Sequence, residues 1–167
     1  MDIIVEPKGW LIAGSTHYRC SLGRAGIVTD KREGDGATPS GVFPLRRLLF
    51  RQTRISDPKT KLPRQALEKY DGWCDSPADP QYNQLIKLPY DASAESLWRS
   101  DHLYDLIVVL GYNDDPIQPG RGSAIFLHCA PANYAPTEGC IALSTEDLLD
   151  LVVDCSQDDR LIVPRIN

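Results

Sequence analysis

The sequence predicts a mainly β fold in one domain spanning residues 1–167. Short runs rich in β-branched and aromatic residues recur along the chain, separated by turn formers, with 13 Pro and 12 Gly in 167 residues. Only one segment carries a clear helical period, and it lies near the C-terminus. The length suits a single domain that buries its own core, and no internal repeat or low-complexity linker marks a boundary.

In chain order, the predicted strands are Ile3–Val5, Trp10–Ala13, Ala25–Thr29, Val42–Leu49, Leu106–Leu110, Ala124–His128 and Leu161–Val163. Between the fourth and fifth, residues 52–104 carry many Pro, Asp and Ser with weak periodicity. This stretch reads as a long, partly helical insertion, with short helices at Arg64–Lys69 and Ser93–Arg99, placed to cover a cleft. The one strong helix is Ser144–Asp154. Ser144 suits the N-cap, Glu146 and Asp147 place acids where the helix dipole favours them, and Leu148, Leu149, Leu151 and Val152 form an apolar stripe.

Composition narrows the function. Net charge is −5. The only basic cluster, Arg46, Arg47, Arg51 and Arg54, reads as a solvated face, so nucleic acid is not an expected partner. No apolar run reaches the roughly 18 residues needed to span a membrane. The start, MDIIVEPKGWLIAG, has no basic region and interrupts its apolar run with Glu6, Pro7 and Lys8, so it reads as part of the fold and gives a cytoplasmic expectation. Five cysteines, an odd number without a CxxC, fit reduced thiols better than a disulfide framework.

The chemistry concentrates in FLHCAPANYAPTEGC, residues 126–140. Four readings compete for it. A zinc site is short of ligands, because His128, Cys129 and Cys140 offer three at most and neighbours on a strand point to opposite faces. A Cys129–Cys140 disulfide conflicts with the reduced-thiol reading. A packed corner is a serious alternative, since free cysteine is among the most buried residue types. The fourth reading pairs Cys140 as nucleophile with His128 at the end of a strand. A glycine before the nucleophile permits an unusual backbone turn and aims the N–H groups of Gly139 and Cys140 at one point, as an oxyanion hole requires. A neighbouring histidine can then lower the thiol pKa and activate the sulfur.

Ala-Ile-Phe-Leu-His128, followed by Thr137-Glu138-Gly139-Cys140-Ile141, resembles the signature of the L,D-transpeptidase catalytic domain (the YkuD-like family). A second block, Lys31-Arg-Glu-Gly-Asp-Gly-Ala-Thr-Pro-Ser-Gly-Val-Phe, is similar to that family's Lys-x-x-Thr-Pro-x-Gly-x-Phe segment with an insertion. Alone, its glycines would mark a turn, because the Gly-Lys-Ser/Thr of a P-loop is missing. The resemblance implies a β-sandwich of mixed sheets with a helix after the nucleophile, Cys140 as nucleophile and His128 as its activating base. Gly139, Thr137 and Glu138 are the implied oxyanion and substrate-binding positions. Two positions depart from the family: Glu138 stands where His is common, and Ala142 where Arg, His or Asn is common. Both departures bear on substrate binding, not on the thiol chemistry.

The resemblance further implies acyl transfer on a peptidoglycan tetrapeptide or muropeptide, at the bond between the third-position diamino acid and D-Ala, with no cofactor and no metal. Water as acceptor makes an L,D-carboxypeptidase, a hydrolase of muropeptide recycling; a second stem's amine makes a cross-linking transpeptidase. The cytoplasmic expectation favours hydrolysis. A non-catalytic wall-binding module is the distant alternative. Among the remaining residues, Glu138 reads as a turn-shaping carboxylate or a contact for a substrate amine, and Thr137 as a brace for the loop. His17 and His102 read as surface or structural, Tyr112 and Asn113 as a turn beside the cleft, and Arg24 as a weak candidate for a substrate carboxylate.

Overall fold

The structure, a computed structural model, describes residues 1–166. The chain forms β1 (Asp2–Glu6), β2 (Trp10–Ala13), β3 (Thr16–Ser21), β4 (Ile27–Val28), β5 (Thr38–Pro39) and the long β6 (Gly41–Phe50). The inserted segment contributes β7 (Arg64–Ala66), β8 (Asp71–Cys74), β9 (Leu85–Lys87) and β10 (Ala94–Ser96). The chain closes with β11 (Leu106–Leu110), β12 (Phe126–Cys129), β13 (Ile141–Leu143), α1 (Thr145–Val152) and β14 (Arg160–Val163).

Nine strands form one mixed sheet in the order β11-β12-β13-β3-β2-β1-β14-β6-β7, and β11 also pairs with β6. That extra pairing closes the sheet into a barrel-like ring instead of the two facing sheets of the expected sandwich. The length of β6 makes closure possible: Gly41–Pro44 pairs with β14, and Leu45–Phe50 pairs with β11. Strand β3 was not among the predicted strands because it opens on exposed polar residues; Tyr18 and Cys20 still alternate inward.

Leu106, Val108 and Leu110 of β11 join the core inside the ring, together with Leu127, Cys129, Ile141 and Leu143. The helix adds Leu148, Leu151 and Val152 to this core. Ser144 caps it as expected, its hydroxyl accepting from the Asp147 N–H at 3.1 Å, although the helix stops at Val152. The alternate residues Ile107, Val109 and Phe126, with Leu49, form a second core on the outer face of the ring. Leu67, Trp73, Leu97 and Tyr104 of the insertion cover that face. Strands buried on both sides read as continuous apolar runs, which explains LIVVL in β11.

The insertion carries no helix. Arg64–Ala66 pairs in parallel with β6, and Ala94–Ser96 joins a three-stranded sheet, β10-β8-β9. Backbone pairing with a preformed edge outweighs weak helical periodicity over such short segments. The basic cluster is not a simple solvated face either. Arg46 pairs with Asp114 at 2.8 Å, Arg51 stacks on Trp98 at 4.0 Å, and Arg54 bonds Asp105 at 2.9 Å and the Ser100 carbonyl at the same distance. Arg51 and Arg54 therefore tie the end of β6 to the last part of the insertion. No helix among the described residues is long and apolar enough to cross a membrane.

Trp73 locks the two layers together, with its ring edge-on to Phe126 at 5.0 Å and its Nε1–H donating to Asn83 Oδ1 at 2.9 Å. Trp73→Ala is expected to cost about 3–5 kcal/mol in urea unfolding. The exposed Tyr70→Ala, three residues earlier, should stay within about 0.5 kcal/mol of the parent.

Candidate active site

The site begins with alternation along β12. Cys129 points into the ring, so its neighbour His128 points outward, on the same face as Phe126. Strand β13 runs parallel to β12 with Leu127 opposite Ile141 and His128 opposite Ala142. Cys140, one residue before β13, therefore lies beside Phe126 on the outer face, one step along from His128. The Phe126 N–H meets its Sγ at 3.4 Å, and the thiol donates to the Ala124 carbonyl at 3.1 Å. Ala124, at φ +53°, is held in place by its N–H bond to Asn83 Oδ1 at 3.0 Å. The insertion thus reaches the sulfur through Asn83 and Ala124.

The turn before the sulfur is braced by Thr137, whose hydroxyl donates to the Cys140 carbonyl at 2.6 Å and accepts the Gly139 N–H at 3.1 Å. Contrary to the expectation that Gly139 and Cys140 present both N–H groups, the Gly139 N–H is already engaged. Gly139 has φ +137°, and a Cβ there would lie 2.8 Å from the Ala37 carbonyl oxygen, so glycine is required on both counts. Ala37 belongs to the second sequence block, which packs against the turn. In that block Asp35 accepts from the Ala37 N–H at 2.9 Å and pairs with the buried Lys31, while Thr38 Oγ1 accepts the Gly23 N–H at 2.9 Å. Glu138 is exposed and paired with Arg24 at 3.1 Å. In place of the expected bonds from the turn backbone to Glu138, the two exposed side chains pair with each other.

The imidazole is oriented by the backbone. His128 Nδ1 lies 2.9 Å from the Cys129 carbonyl. A carbonyl only accepts, so Nδ1 carries the proton and Nε2 the lone pair. The Tyr104 ring stands edge-on to the imidazole at 5.2 Å. Cys140 is 8 % exposed and His128 6 %. Burial pushes the thiol up to about 12, with the Glu95 carboxylate adding to the shift. Burial also holds His128 down at about 4, against the pull of the Cys129 and Leu103 carbonyls. The expected histidine-lowered thiol is absent at rest: the pair is neutral, and the hydrogen bonds of the sulfur go to backbone groups.

Two cavities meet at Cys140. One, of about 290 Å³, reaches His128, Arg99, Leu103 and Pro136; the other, of about 270 Å³, reaches Lys31, Glu33, Asp75 and Ser123. Glu95, Tyr104, Glu138 and Cys140 line both. A larger cavity, about 730 Å³, lies across Phe126 between Arg47 and Trp73 and includes neither Cys140 nor His128. The Cys140 and His128 that the sequence singles out lie on the smaller pair instead.

Other sequence candidates lie apart from it. His17 is exposed on β3, and His102 Nε2 contacts the Ala130 carbonyl at 2.9 Å. Asn113 closes its own turn through Gln118 and Gly122, and Tyr112 lines the large cavity. All five cysteines are free, and among the described residues no group of three His, Cys, Asp or Glu could hold a metal ion. Glu95, Arg99 and Tyr104 were not anticipated. They sit in a segment without a motif, and only the pairing of β10 with β8 carries Glu95 over the sulfur.

The family model for the L,D-transpeptidase catalytic domain (YkuD) matches residues 8–163, nearly the whole chain. No curated protein matches it.

The depressed His128 has a consequence for stability. Below about pH 6.5 the unfolded chain takes up a proton that the folded chain refuses until about pH 4, so this stabilisation is present above 6.5 and is lost as pH falls through that window. His128→Gln should flatten the fall in unfolding free energy between pH 6.5 and 4 by about 3 kcal/mol. Urea titrations at several pH values check the slope.

Proposed function

The chain belongs to the L,D-transpeptidase catalytic domain family of cysteine-dependent enzymes acting on peptidoglycan, and we propose that it is an L,D-carboxypeptidase. In this reading it cleaves the bond between the third-position diamino acid and D-Ala of a stem tetrapeptide. The observation that carries it is the placement of Cys140 at the meeting point of two small cavities, one of which contains His128. Cavities of this size suit the end of a soluble muropeptide and a water molecule. A polymerised glycan with two stems calls for an open groove, which favours hydrolysis over cross-linking.

The substrate carbonyl enters beside the sulfur and displaces water. The thiol proton leaves the Ala124 carbonyl for His128 Nε2 as Sγ attacks, so thiolate forms only together with the new C–S bond. A neutral resting pair suits this order, because no ion pair has to be maintained in a buried site. The oxyanion is met by the Cys140 N–H, joined by the Gly139 N–H once Thr137 releases it. The tetrahedral adduct collapses, His128 returns the proton to the departing amine of D-Ala, and the acyl group remains on sulfur as a thioester. Hydrolysis then frees the tripeptide.

A second reading, transpeptidation, is favoured by the carboxylates of the second cavity. With Glu138 already paired with Arg24, Glu33, Asp75 and Glu95 still outnumber Lys31, itself paired with Asp35, and such a lining attracts an ammonium acceptor.

Incubation with a disaccharide tetrapeptide, followed by mass, separates the readings. Loss of one D-Ala is the expected outcome; a dimer would replace hydrolysis with cross-linking, and unchanged mass with retained binding would leave only a binding module. Cys140→Ala should abolish turnover with the fold kept. Cys129→Ser, whose sulfur faces the ring interior, should keep most of it, and an equal loss in both would move the nucleophile assignment.

A further inference from the structure

We propose that Glu95 is a second catalytic residue, the base that activates the acceptor and so releases the acyl group from Cys140. The assignment rests on the acyl-transfer reading above and adds a group to it. Glu95 lies on β10, in the insertion, and its carboxylate lines both cavities that open on the sulfur. His128 lines only the first. An acceptor arriving through the second cavity therefore meets Glu95 on its way to the thioester and does not meet the imidazole.

The carboxylate is held in place. The Tyr104 hydroxyl donates to it, at 3.3 Å from Oε1 and 3.2 Å from Oε2, and the same tyrosine stands edge-on to His128. Arg99 does not neutralise it in a direct pair; its guanidinium is committed to Asp101 through bonds of 2.8 and 2.6 Å. The groups facing Glu95 are Asp75 at the edge of β8, Glu33 and Lys31 from the loop before β5, Tyr104 and Arg99 on its own side, and Cys140, His128 and Glu138 from the barrel. Burial, reinforced by Asp75 and Glu33, raises Glu95 to about 7, while the Tyr104 hydroxyl and Arg99 oppose the rise. A base with that pKa exchanges a proton readily near neutrality, whereas His128, held at about 4, is a weak one.

The step balances with water alone. Water attacks the thioester carbon, a C–O bond forms, and one proton of the water passes to the Glu95 carboxylate. The tetrahedral adduct collapses, the C–S bond breaks, and its electron pair stays on Sγ. Protonated Glu95 then returns the proton to the sulfur, and the thiol is restored as the free acid leaves. An amine acceptor would follow the same course, with a C–N bond formed in place of C–O.

Single turnover of a synthetic stem tetrapeptide, with enzyme in excess, tests this. Released D-Ala reports acylation, released tripeptide reports deacylation, and intact-protein mass reports the adduct on Cys140. In Glu95→Gln, D-Ala release should stay within about 3-fold of the parent while tripeptide release slows about 100-fold or more and the adduct accumulates. Glu95→Asp, which keeps a carboxylate one methylene further back, should fall between the two. In the parent, tripeptide release should rise with pH through an inflection near 7, absent in Glu95→Gln. Unchanged deacylation in either variant, or equal slowing of both half-reactions, overturns the role of Glu95 alone. No D-Ala release from the parent protein overturns the acyl-transfer reading and this assignment with it.

Discussion

The parallel register of β12 against β13 is the constraint on which the site depends. With Leu127 opposite Ile141, Phe126 and His128 share a face with the residue that precedes β13, and that residue is Cys140. A slip of one residue would turn the imidazole into the ring and bring Cys129 to the outside. The register is held from both sides. Leu127 and Ile141 are fully buried in the inner core, and Phe126 is clamped by Trp73 and Tyr104 in the outer one. The relative placement of His128 and Cys140 is therefore secured by ordinary apolar burial on two faces of a single strand pair.

The outer layer does more than complete the core. It desolvates the sulfur and the imidazole together, and desolvation drives both toward their neutral forms. The protein side of the centre is then poised by dipoles: the Ala124 and Cys129 carbonyls, and the N–H of Phe126. All three of these peptide-level contacts arise from β12 itself or its flank. The insertion adds the charged groups Asp75, Glu95 and Arg99, which face Lys31 and Glu33 from the loop before β5 and Glu138 from the turn before Cys140. The layers divide the site, with Cys140 and His128 on the barrel and most of the ionisable walls above it.

Much of this was legible in the sequence, and the reasons differ by element. His128 and Cys140 stood out because the strand ending in His and the Gly-Cys turn are local patterns, and the structure places both at one cavity. Ser144 was legible because an N-cap is set by its immediate neighbours. The closed ring was not, since it depends on which edge the second half of β6 finds, and nothing local encodes that. The insertion misled for the same reason: Arg64–Ala66 and Ala94–Ser96 become strands only because a partner edge is present. Asn83, Glu95 and Arg99 were invisible as site residues, since their neighbours carry no motif and long-range folding alone brings them to the sulfur. The engaged Gly139 N–H was also out of reach, because its acceptor, the Thr137 hydroxyl, is available only in this particular turn.

The roof over Cys140 also governs what else can happen to that sulfur. Peroxides and disulfides react with thiolate, whose population is very small for a group held near pKa 12. The same burial leaves Cys140 only 8 % exposed, so access to its sulfur is screened together with its charge. Reagents from solvent reach that atom only through the two small cavities.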